Sequence, residues 1–310
     1  MLKKFFIKLI DSSQYASEVN RKVEYQNKLL EDSLLLSGKK FSFDLKNVQL
    51  DSIQEAEFKV FSQFGDDGII QYLIHNIDVP IKSFIEFGVE NYNESNTRFL
   101  LFNNNWKGLI MDASENNINY IRKSKYYWKY DLTAKTCFIT TENINQQINQ
   151  ENINGKIGLL SIDIDGNDYW IWNAIDVVNP IIVIIEYNSL FGIDKAITVP
   201  YKSEFSRFEE HHSGLYAGAS LKALYKLALK KGYQFVGTNS SGNNAYFVLG
   251  NYLNGNIRPL SLEEGFTESK FREHRNKNGD LTFISKQEAK AKLKDLPVYN
   301  VENDNIENFL

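Results

Sequence analysis

The chain has 310 residues, of which 43% are hydrophobic and 24% charged, and these values indicate a folded globular protein with one large domain or two small ones. Its net charge of −4 gives no long-range attraction to nucleic acid or to anionic membranes, so basic nucleic-acid-binding proteins are excluded as a class. The single cysteine, Cys137, excludes an internal disulfide framework and a cysteine-rich zinc site. This low cysteine content favours a location in the reducing cytoplasm.

Residues 1–56 are predicted to form a helical, polar extension. The opening MLKKFFIKLIDSS has its apolar run interrupted by Lys8, so it indicates an amphipathic helix rather than a signal peptide. No segment approaches ~18 uninterrupted apolar residues, and no membrane span is expected. The stripe in EYQNKLLEDSLLL could pack on the rest of the chain or on a second copy, which predicts a possible homo-oligomer.

Strands and helices alternate through the main predicted domain, residues 57–255. Strands are predicted at 83–88, 108–112 and 127–132, in the apolar run that leads into Asp163, and at 181–188. Helices are predicted at 94–104, 114–124, 142–152, 169–175 and 219–232. Asp66 or Asp67 is predicted to cap an earlier helix. A final hairpin, GYQFVGTNSSGNNAYFVLG, follows. The pattern predicts a doubly wound, mostly parallel α/β sheet of seven strands, one of them antiparallel, with residues 256–310 as an extension packed on it.

The segment GLLSIDIDGNDYWIW carries the strongest functional signal. Asp163 and Asp165 follow a buried strand, and the next strand, IIVIIEYN, ends in Glu186 and Asn188. Because ligands of open α/β sheets bind at the carboxyl ends of the strands, these side chains predict a site for a divalent cation. The structural alternative is that the acids cap helices and solvate a turn.

Two earlier strands end in candidate ligand-binding residues. Gly88 follows the first strand, where a glycine lets a ligand approach the backbone, but the other glycines of the dinucleotide-binding fingerprint are absent. Asp112 lies 24 residues later (112 − 88) and could accept both hydroxyls of a ribose, or cap a helix together with Ser114. Asp131 is predicted to end the third strand and to accept from an adenine amine, with capping as the alternative.

An adjacent histidine pair lies in the loop after the fifth strand. Consecutive side chains point apart, so only one of His211 and His212 is expected to face a site, as a general base or a metal ligand. A solvated loop is the alternative. Tyr169 could line a substrate site or pack on the sheet, and Asn243 could bind a polyhydroxylated ligand or make the hairpin turn.

Several of these motifs together resemble the class I S-adenosylmethionine-dependent methyltransferases, and in particular the FkbM-like and sugar O-methyltransferase branch. The likeness covers roughly residues 60–255 and is carried by SQFGDDGII, IEFGVENYNESNTRFLL, GLIMDAS, SIDIDGNDYWIW, VIIEYN, GASLKAL and NSSGNNAYFV. It implies a Rossmann-like methyltransferase fold. The sequence departs from the usual pattern at Glu90 and Asn91, where a glycine is common.

The resemblance also implies roles for individual residues. S-adenosylmethionine would be bound by Gln63, Glu86, Gly88, Asp112, Asp131 and Asp163. A divalent cation would be held by Asp163, Asp165, Glu186 and His212: magnesium, or manganese or iron if a histidine is a ligand. His211, His212 and Asp163 would be catalytic, and Asn188, Tyr169 and Asn243 would contact the substrate.

The expected function is therefore methyl transfer from S-adenosylmethionine to a hydroxyl of a sugar or nucleotide sugar, in polysaccharide (capsule-type) or natural-product biosynthesis. The expected acceptor is a small molecule and not nucleic acid. Two alternatives stay open. One is a non-catalytic scaffold that keeps the fold, and the other is a metal-dependent glycosyltransferase or hydrolase that uses the two acids of the Asp-x-Asp motif.

Overall fold

A computed structural model describes residues 2–270 and 274–309, with side chains from Tyr15 onward. The strands are β1 (Ser83–Phe87), β2 (Lys107–Asp112), β3 (Leu132–Thr136), β4 (Gly155–Ile162), β5 (Val178–Glu186), β6 (Ile197–Thr198), β7 (Tyr233–Thr238), β8 (Asn244–Leu249), β9 (Pro297–Asn300) and β10 (Asn305–Asn308). The helices are α1 (Leu2–Asp44), α2 (Asp66–Asn76), α3 (Arg98–Asn104), α4 (Glu115–Lys123), α5 (Ile144–Asn149), α6 (Asp168–Ala174), α7 (Arg207–Glu210), α8 (Leu221–Lys230), α9 (Leu262–Gly265) and α10 (Lys286–Leu293).

Seven strands form one sheet in the order β3-β2-β1-β4-β5-β8-β7. The pairs from β3 to β5 are parallel, whereas β8 runs antiparallel to both β5 and β7. The predicted fold class is therefore confirmed: a doubly wound, mostly parallel seven-stranded sheet with one antiparallel strand, as in the Rossmann-like methyltransferase fold.

Both faces of the sheet are buried, as a parallel sheet requires. Side chains alternate along each strand, so Ile85 and Leu109 pack into the core on one face. Phe84 and Ile110 pack into the core on the other face. The strand order reverses at β1, which pairs with β2 on one side and β4 on the other. Such a switch point leaves a crevice at the carboxyl ends of the strands.

The third strand begins later than predicted. Residues 127–129 form a short 3-10 helix, and β3 starts only at Leu132. The aromatic run YWKYDL imitates a strand in sequence, but its tyrosines pack at the edge of the core, and Tyr130 stacks on Phe102. The prediction that Asp131 ends this strand is wrong.

The predicted capping of α2 by Asp66 or Asp67 is also wrong. Gly65 occupies the N-cap position and makes no side-chain cap bond. One carboxylate oxygen of Asp67 instead accepts hydrogen bonds from three consecutive backbone N–H groups, those of Val60, Phe61 and Ser62. Burial raises the pKa of Asp67 to about 6 even though these bonds favour its charged form.

The N-terminal helix α1 contains 43 residues, about 65 Å of helix, and it ends at Asp44, short of residue 56. Its last turns pack on the domain: Leu35 contacts the cluster of Val60, Phe61 and Phe99, and Gly38 is buried. Residues 15–30 are exposed on every side. The amphipathic character predicted for residues 1–13 concerns side chains outside the described residues.

The C-terminal part adds a second, three-stranded sheet in the order β10-β9-β6. Because β6 lies in the segment 189–216, predicted as an irregular loop, residues beyond 255 pair directly with the central part of the chain. The predicted division at residues 56 and 255 stays a prediction. Among the described residues, no helix is both long and apolar enough to cross a membrane.

Candidate active site at the carboxyl edge of the sheet

A cavity of about 420 Å³, the first cavity, opens at the carboxyl ends of β1, β2, β4 and β5. Its floor is Gly88, whose φ of +73° lies in the left-handed region. A Cβ at this position would lie 1.6 Å from the carbonyl oxygen of Asp163, so only glycine lets the ends of β1 and β4 approach this closely. The fold therefore requires a glycine at this position, and the role of Gly88 in leaving the backbone open to a ligand stays a prediction.

The buried Glu86 organises the loop that follows β1. Its carboxylate accepts hydrogen bonds from the backbone N–H of Asn96 at 2.9 Å and of Thr97 at 3.2 Å, and also from the hydroxyls of Ser95 and Thr97. Burial raises the pKa of Glu86. Glu86 lines the cavity, but these bonds make it the support of the loop above Gly88.

Asp112 lies at the end of β2, at the wall of the same cavity. Its Oδ2 accepts from the backbone N–H of Glu90 at 2.8 Å, and its Oδ1 accepts from Ser114 N at 2.8 Å and from Asn117 Nδ2 at 3.3 Å. Ser114, not Asp112, caps α4. A carboxylate has about four acceptor positions, so one remains for a ligand hydroxyl.

Asp131 does not reach this site. It precedes β3, so it lies at the opposite edge of the sheet, where it is exposed and 4.0 Å from the ammonium of Lys107. Its predicted contact with adenine is therefore wrong. The residues that follow β3 and line the cavity are Cys137, Phe138 and Ile139.

Three carboxylates meet at the ends of β4 and β5. Oxygen atoms of Asp163, Asp165 and Glu186 all lie within 4.8 Å of one another. Burial, and then the charges of neighbouring acids, raise the pKa values of Asp163 and Glu186 well above their usual range. The charged forms of these two carboxyl groups are therefore disfavoured in the absence of a cation.

Two further contacts hold the cluster in place. Arg207 donates to Asp165 at 2.8 Å and partly neutralises it. Asp168, the buried fourth acid of the motif, accepts from the backbone N–H of Ile164 and Gly166, both at 2.9 Å, and so fixes the turn in which Asp165 has a φ of +57°. Burial raises the pKa of Asp168 to about 6.

The structure does not bring the adjacent histidines to the carboxylates. His211 and His212 line a separate depression together with His274, and the carboxylate cluster contains neither of them. His211 instead contacts the hydroxyl of Ser213 at 2.6 Å. The predictions of His212 as a metal ligand and of either histidine as the base beside the cluster are therefore wrong for this arrangement.

The other predicted residues divide between lining and support. Gln63 and Asn243 line the first cavity. Asn188 caps the short helix that begins at Ser189 and donates to two loop carbonyls, so its amide is committed to the loop. Tyr169 packs against the core and edge-on against Trp170, and it does not line the first cavity. Its predicted contact with the substrate stays a prediction.

Two residues of the site carried no signal in the sequence. Arg207 lies in the segment predicted as an irregular loop, and it reaches the cluster only because that segment folds back over β4. The ring of Phe205 lies over Gly166, where an added Cβ would be 2.2 Å from it. Gly166 is thus required by packing as well as by the turn.

No family model and no curated protein matches the chain. Solved structures match it at low identity. An S-adenosylmethionine-dependent methyltransferase from Clostridium acetobutylicum is 13% identical over 60% of this chain and 90% of that one, with a TM-score of 0.37. An O-methyltransferase from Bacillus cereus, in complex with SAH, is 14% identical over 70% and 89%, with a TM-score of 0.40. The CurJ carbon methyltransferase is 10% identical over 63% and 56%, with a TM-score of 0.38.

The buried acids predict an unusual pH dependence of stability. Their pKa values are higher in the folded protein than in the unfolded chain, so the stability that they contribute is present below about pH 4 and is lost as the pH rises through about 6. For metal-free protein we expect Tm to fall by roughly 5 °C or more between pH 5 and pH 8. Asp163→Asn should raise Tm at pH 8 and flatten this dependence, as measured by calorimetry.

Asp51→Asn, at an exposed position, is the matched control and should leave the pH profile unchanged. A profile that Asp163→Asn does not alter would contradict a raised pKa of Asp163.

Proposed function

We propose that this protein is an S-adenosylmethionine-dependent O-methyltransferase that acts on a hydroxyl of a sugar or nucleotide sugar. The observation that carries the proposal is that two cavities meet at the carboxylate cluster. A second cavity, of about 1110 Å³, adjoins the first, and Gln63, Glu186, Arg207 and Asn243 line both. Group transfer between two bound ligands requires such side-by-side sites with acid–base groups at their junction.

The first cavity suits the cofactor in shape and charge. Gly88 lines the cavity without a side chain, and Asp112 has acceptor capacity left for a ribose hydroxyl. Seven carboxylates and one guanidinium line the cavity among the described residues. S-adenosylmethionine supplies a methyl group on a positively charged sulfur, and an acidic cavity favours that cation over the uncharged thioether left after transfer.

Asp163 and Glu186 are the proposed acceptors of the proton of the substrate hydroxyl. Both carboxylates are partly buried; Asp163 lines the first cavity and Glu186 lines both. Their raised pKa values make them stronger bases than exposed acids. Arg207 limits the repulsion at Asp165.

A divalent cation is proposed to bind among Asp163, Asp165 and Glu186. Three carboxylates within 4.8 Å of one another suit a hard cation, and bound there it would relieve their mutual repulsion and polarise a substrate oxygen. Since His212 is not part of the cluster, the all-oxygen donor set favours Mg²⁺ over a transition ion.

The choice of acceptor rests on the resemblance and on the polar lining of the cavities. The resemblance to sugar O-methyltransferases suggests polysaccharide (capsule-type) or natural-product biosynthesis as the setting. The chain's only cysteine, Cys137, is unpaired, which supports a cytoplasmic location.

Cofactor binding is the first test of this proposal. S-adenosylhomocysteine should bind and raise Tm, and Asp112→Ala should weaken binding by about 1–3 kcal/mol because it removes acceptors for ribose hydroxyls. Isothermal titration calorimetry measures both effects. Asp131→Ala, at the opposite edge of the sheet, is the control and should bind with unchanged affinity. If millimolar S-adenosylhomocysteine gives neither a calorimetric nor a thermal response, the methyltransferase proposal is contradicted.

Turnover and its metal dependence are the second test. A panel of nucleotide sugars with labelled S-adenosylmethionine should show transfer to oxygen. Chelation should abolish turnover and Mg²⁺ should restore it, while Glu186→Gln should lose activity and keep S-adenosylhomocysteine binding. Full activity after chelation would contradict the proposed role of the cation and leave only the role of the carboxylates as bases. Methylation of RNA or protein would contradict the proposal that the acceptor is a sugar.

We also propose that α1 pairs with a second copy of the chain. Its exposed apolar residues recur every 11 residues as Val19, Leu30 and Phe41, and the series Val23, Leu34 follows the same spacing. An 11-residue period keeps a stripe on one side of a nearly straight helix. A helix exposed on all sides over residues 15–30 is marginal in isolation, and pairing with a like stripe would bury it.

Self-association through this stripe is tested by light scattering. Leu30→Asp should shift a dimer to monomer, because the charge would be buried between apolar side chains. Leu36→Asp places the same change on the other side of the helix and should leave the dimer intact. A monomeric parent protein, or equal effects of the two variants, would contradict the proposal.

A further inference from the structure

The second cavity has the opposite charge to the first. Among the described residues, four cationic side chains and two carboxylates line it: Arg207, Lys270, Arg275 and Lys286 against Glu186 and Glu268. The whole chain carries a net charge of −4. Positive charge is therefore concentrated in this cleft rather than spread over the surface, and such a cleft attracts an anionic ligand.

Two of the four cations of this cleft have carboxylate partners, and Arg207 donates to Asp165 at 2.8 Å. Glu268 is paired with the ammonium of Lys286 at 2.6 Å. Glu186 belongs to the carboxylate cluster at the far end of the cavity. Lys270 makes no ion pair within the described part of the chain, and its backbone N–H donates to Ser241 of the hairpin turn at 3.2 Å. Its exposed ammonium is thus held at the rim of the cavity.

A buried histidine adds a polar group to the lining of the second cavity. His274 is 3% exposed and lines both the second cavity and the depression that contains His211, His212, Lys277 and Lys292. Its Nδ1 is paired with the hydroxyl of Thr282, whereas its Nε2 has no hydrogen-bond partner among the described residues. A buried ring nitrogen without a partner is costly, and an oxygen-rich ligand would satisfy it.

We propose that the second cavity binds a phosphate or diphosphate group of the acceptor, with Lys270 and Arg275 as its principal contacts. This inference rests on the proposed function. The acidic cluster repels the anionic end of such an acceptor while the cations at the other end attract it. The opposed charges would therefore orient the molecule so that its sugar hydroxyl, and not its phosphate, reaches Asp163 and Glu186.

The test is calorimetric titration of the full chain with inorganic pyrophosphate, in the presence of saturating S-adenosylhomocysteine. Lys270→Gln should weaken binding about three- to tenfold, the range for loss of an exposed charge contact. Glu268→Gln should strengthen binding, because it releases Lys286 from its carboxylate partner. Lys230→Gln, at the exposed end of α8, is the matched control and should change nothing.

Lys270→Gln and Glu268→Gln are expected to change the affinity in opposite directions. A general loss of structure would weaken binding in both variants, so the pair distinguishes it from an electrostatic effect. Binding of S-adenosylhomocysteine without binding of millimolar pyrophosphate would overturn this inference and leave the proposed function standing. Stronger binding of glucuronate than of pyrophosphate would indicate a site for a carboxylate rather than a phosphate, and it would also contradict this inference. UDP that binds more tightly than pyrophosphate would support a nucleotide sugar, and equal affinities would support a sugar phosphate.

Discussion

The contact between the backbones at Gly88 and Asp163 is the constraint on which the candidate site depends. It joins the ends of β1 and β4 at the point where the strand order reverses, and it leaves no room for a side chain. Because the carbonyl of Asp163 faces Gly88, the turn that follows must form immediately beyond β4, and Asp168 fixes it through two backbone N–H groups. The position of the carboxylate cluster is thus determined by the main chain.

Charge is separated over a short distance in this protein. Acids concentrate at the switch point and cations in the adjoining cleft, and the two regions share Glu186 and Arg207 as a border. Collecting buried carboxylates in this way opposes folding at neutral pH, since each must lose its hydration or keep a proton. Such a cost is typical of binding and catalytic sites, where a bound cation or ligand offsets it.

The sequence predicted those parts of the site that depend on single strands. Buried parallel strands appear as apolar runs, and the first polar residue after each run lies at the carboxyl edge, so Gly88, Asp112, Asp163 and Glu186 could be assigned to one edge. The prediction for Asp131 was wrong because the aromatic turn before β3 has the composition of a strand. The strand begins a few residues later than predicted, so Asp131 lies at the opposite edge of the sheet.

Features that depend on distant segments could not be predicted. The path of residues 189–216 is set by pairing of β6 with β9, about 100 residues later in the chain, so neither the contact of Arg207 with Asp165 nor the displacement of the histidines from the cluster has a local signal. Asp66 and Asp67 have the pattern of helix caps, but Asp66 binds side chains of the terminal hairpin, those of Asn239, Asn244 and Tyr246. Asp67 binds the backbone of residues 60–62.

These distant contacts link the N-terminal helix to the rim of the first cavity. Glu57 accepts from the backbone and hydroxyl of Ser240, and Asp66 accepts from the hairpin, so segment 57–67 is fastened to the hairpin that contributes Asn243. The same segment presents Val60 and Phe61 to α1 and Gln63 to both cavities. Through this segment α1 contacts residues two or three positions from Gln63. The ion pair of Glu31 with Arg98 provides a second connection to the domain, next to Thr97, whose backbone N–H donates to Glu86.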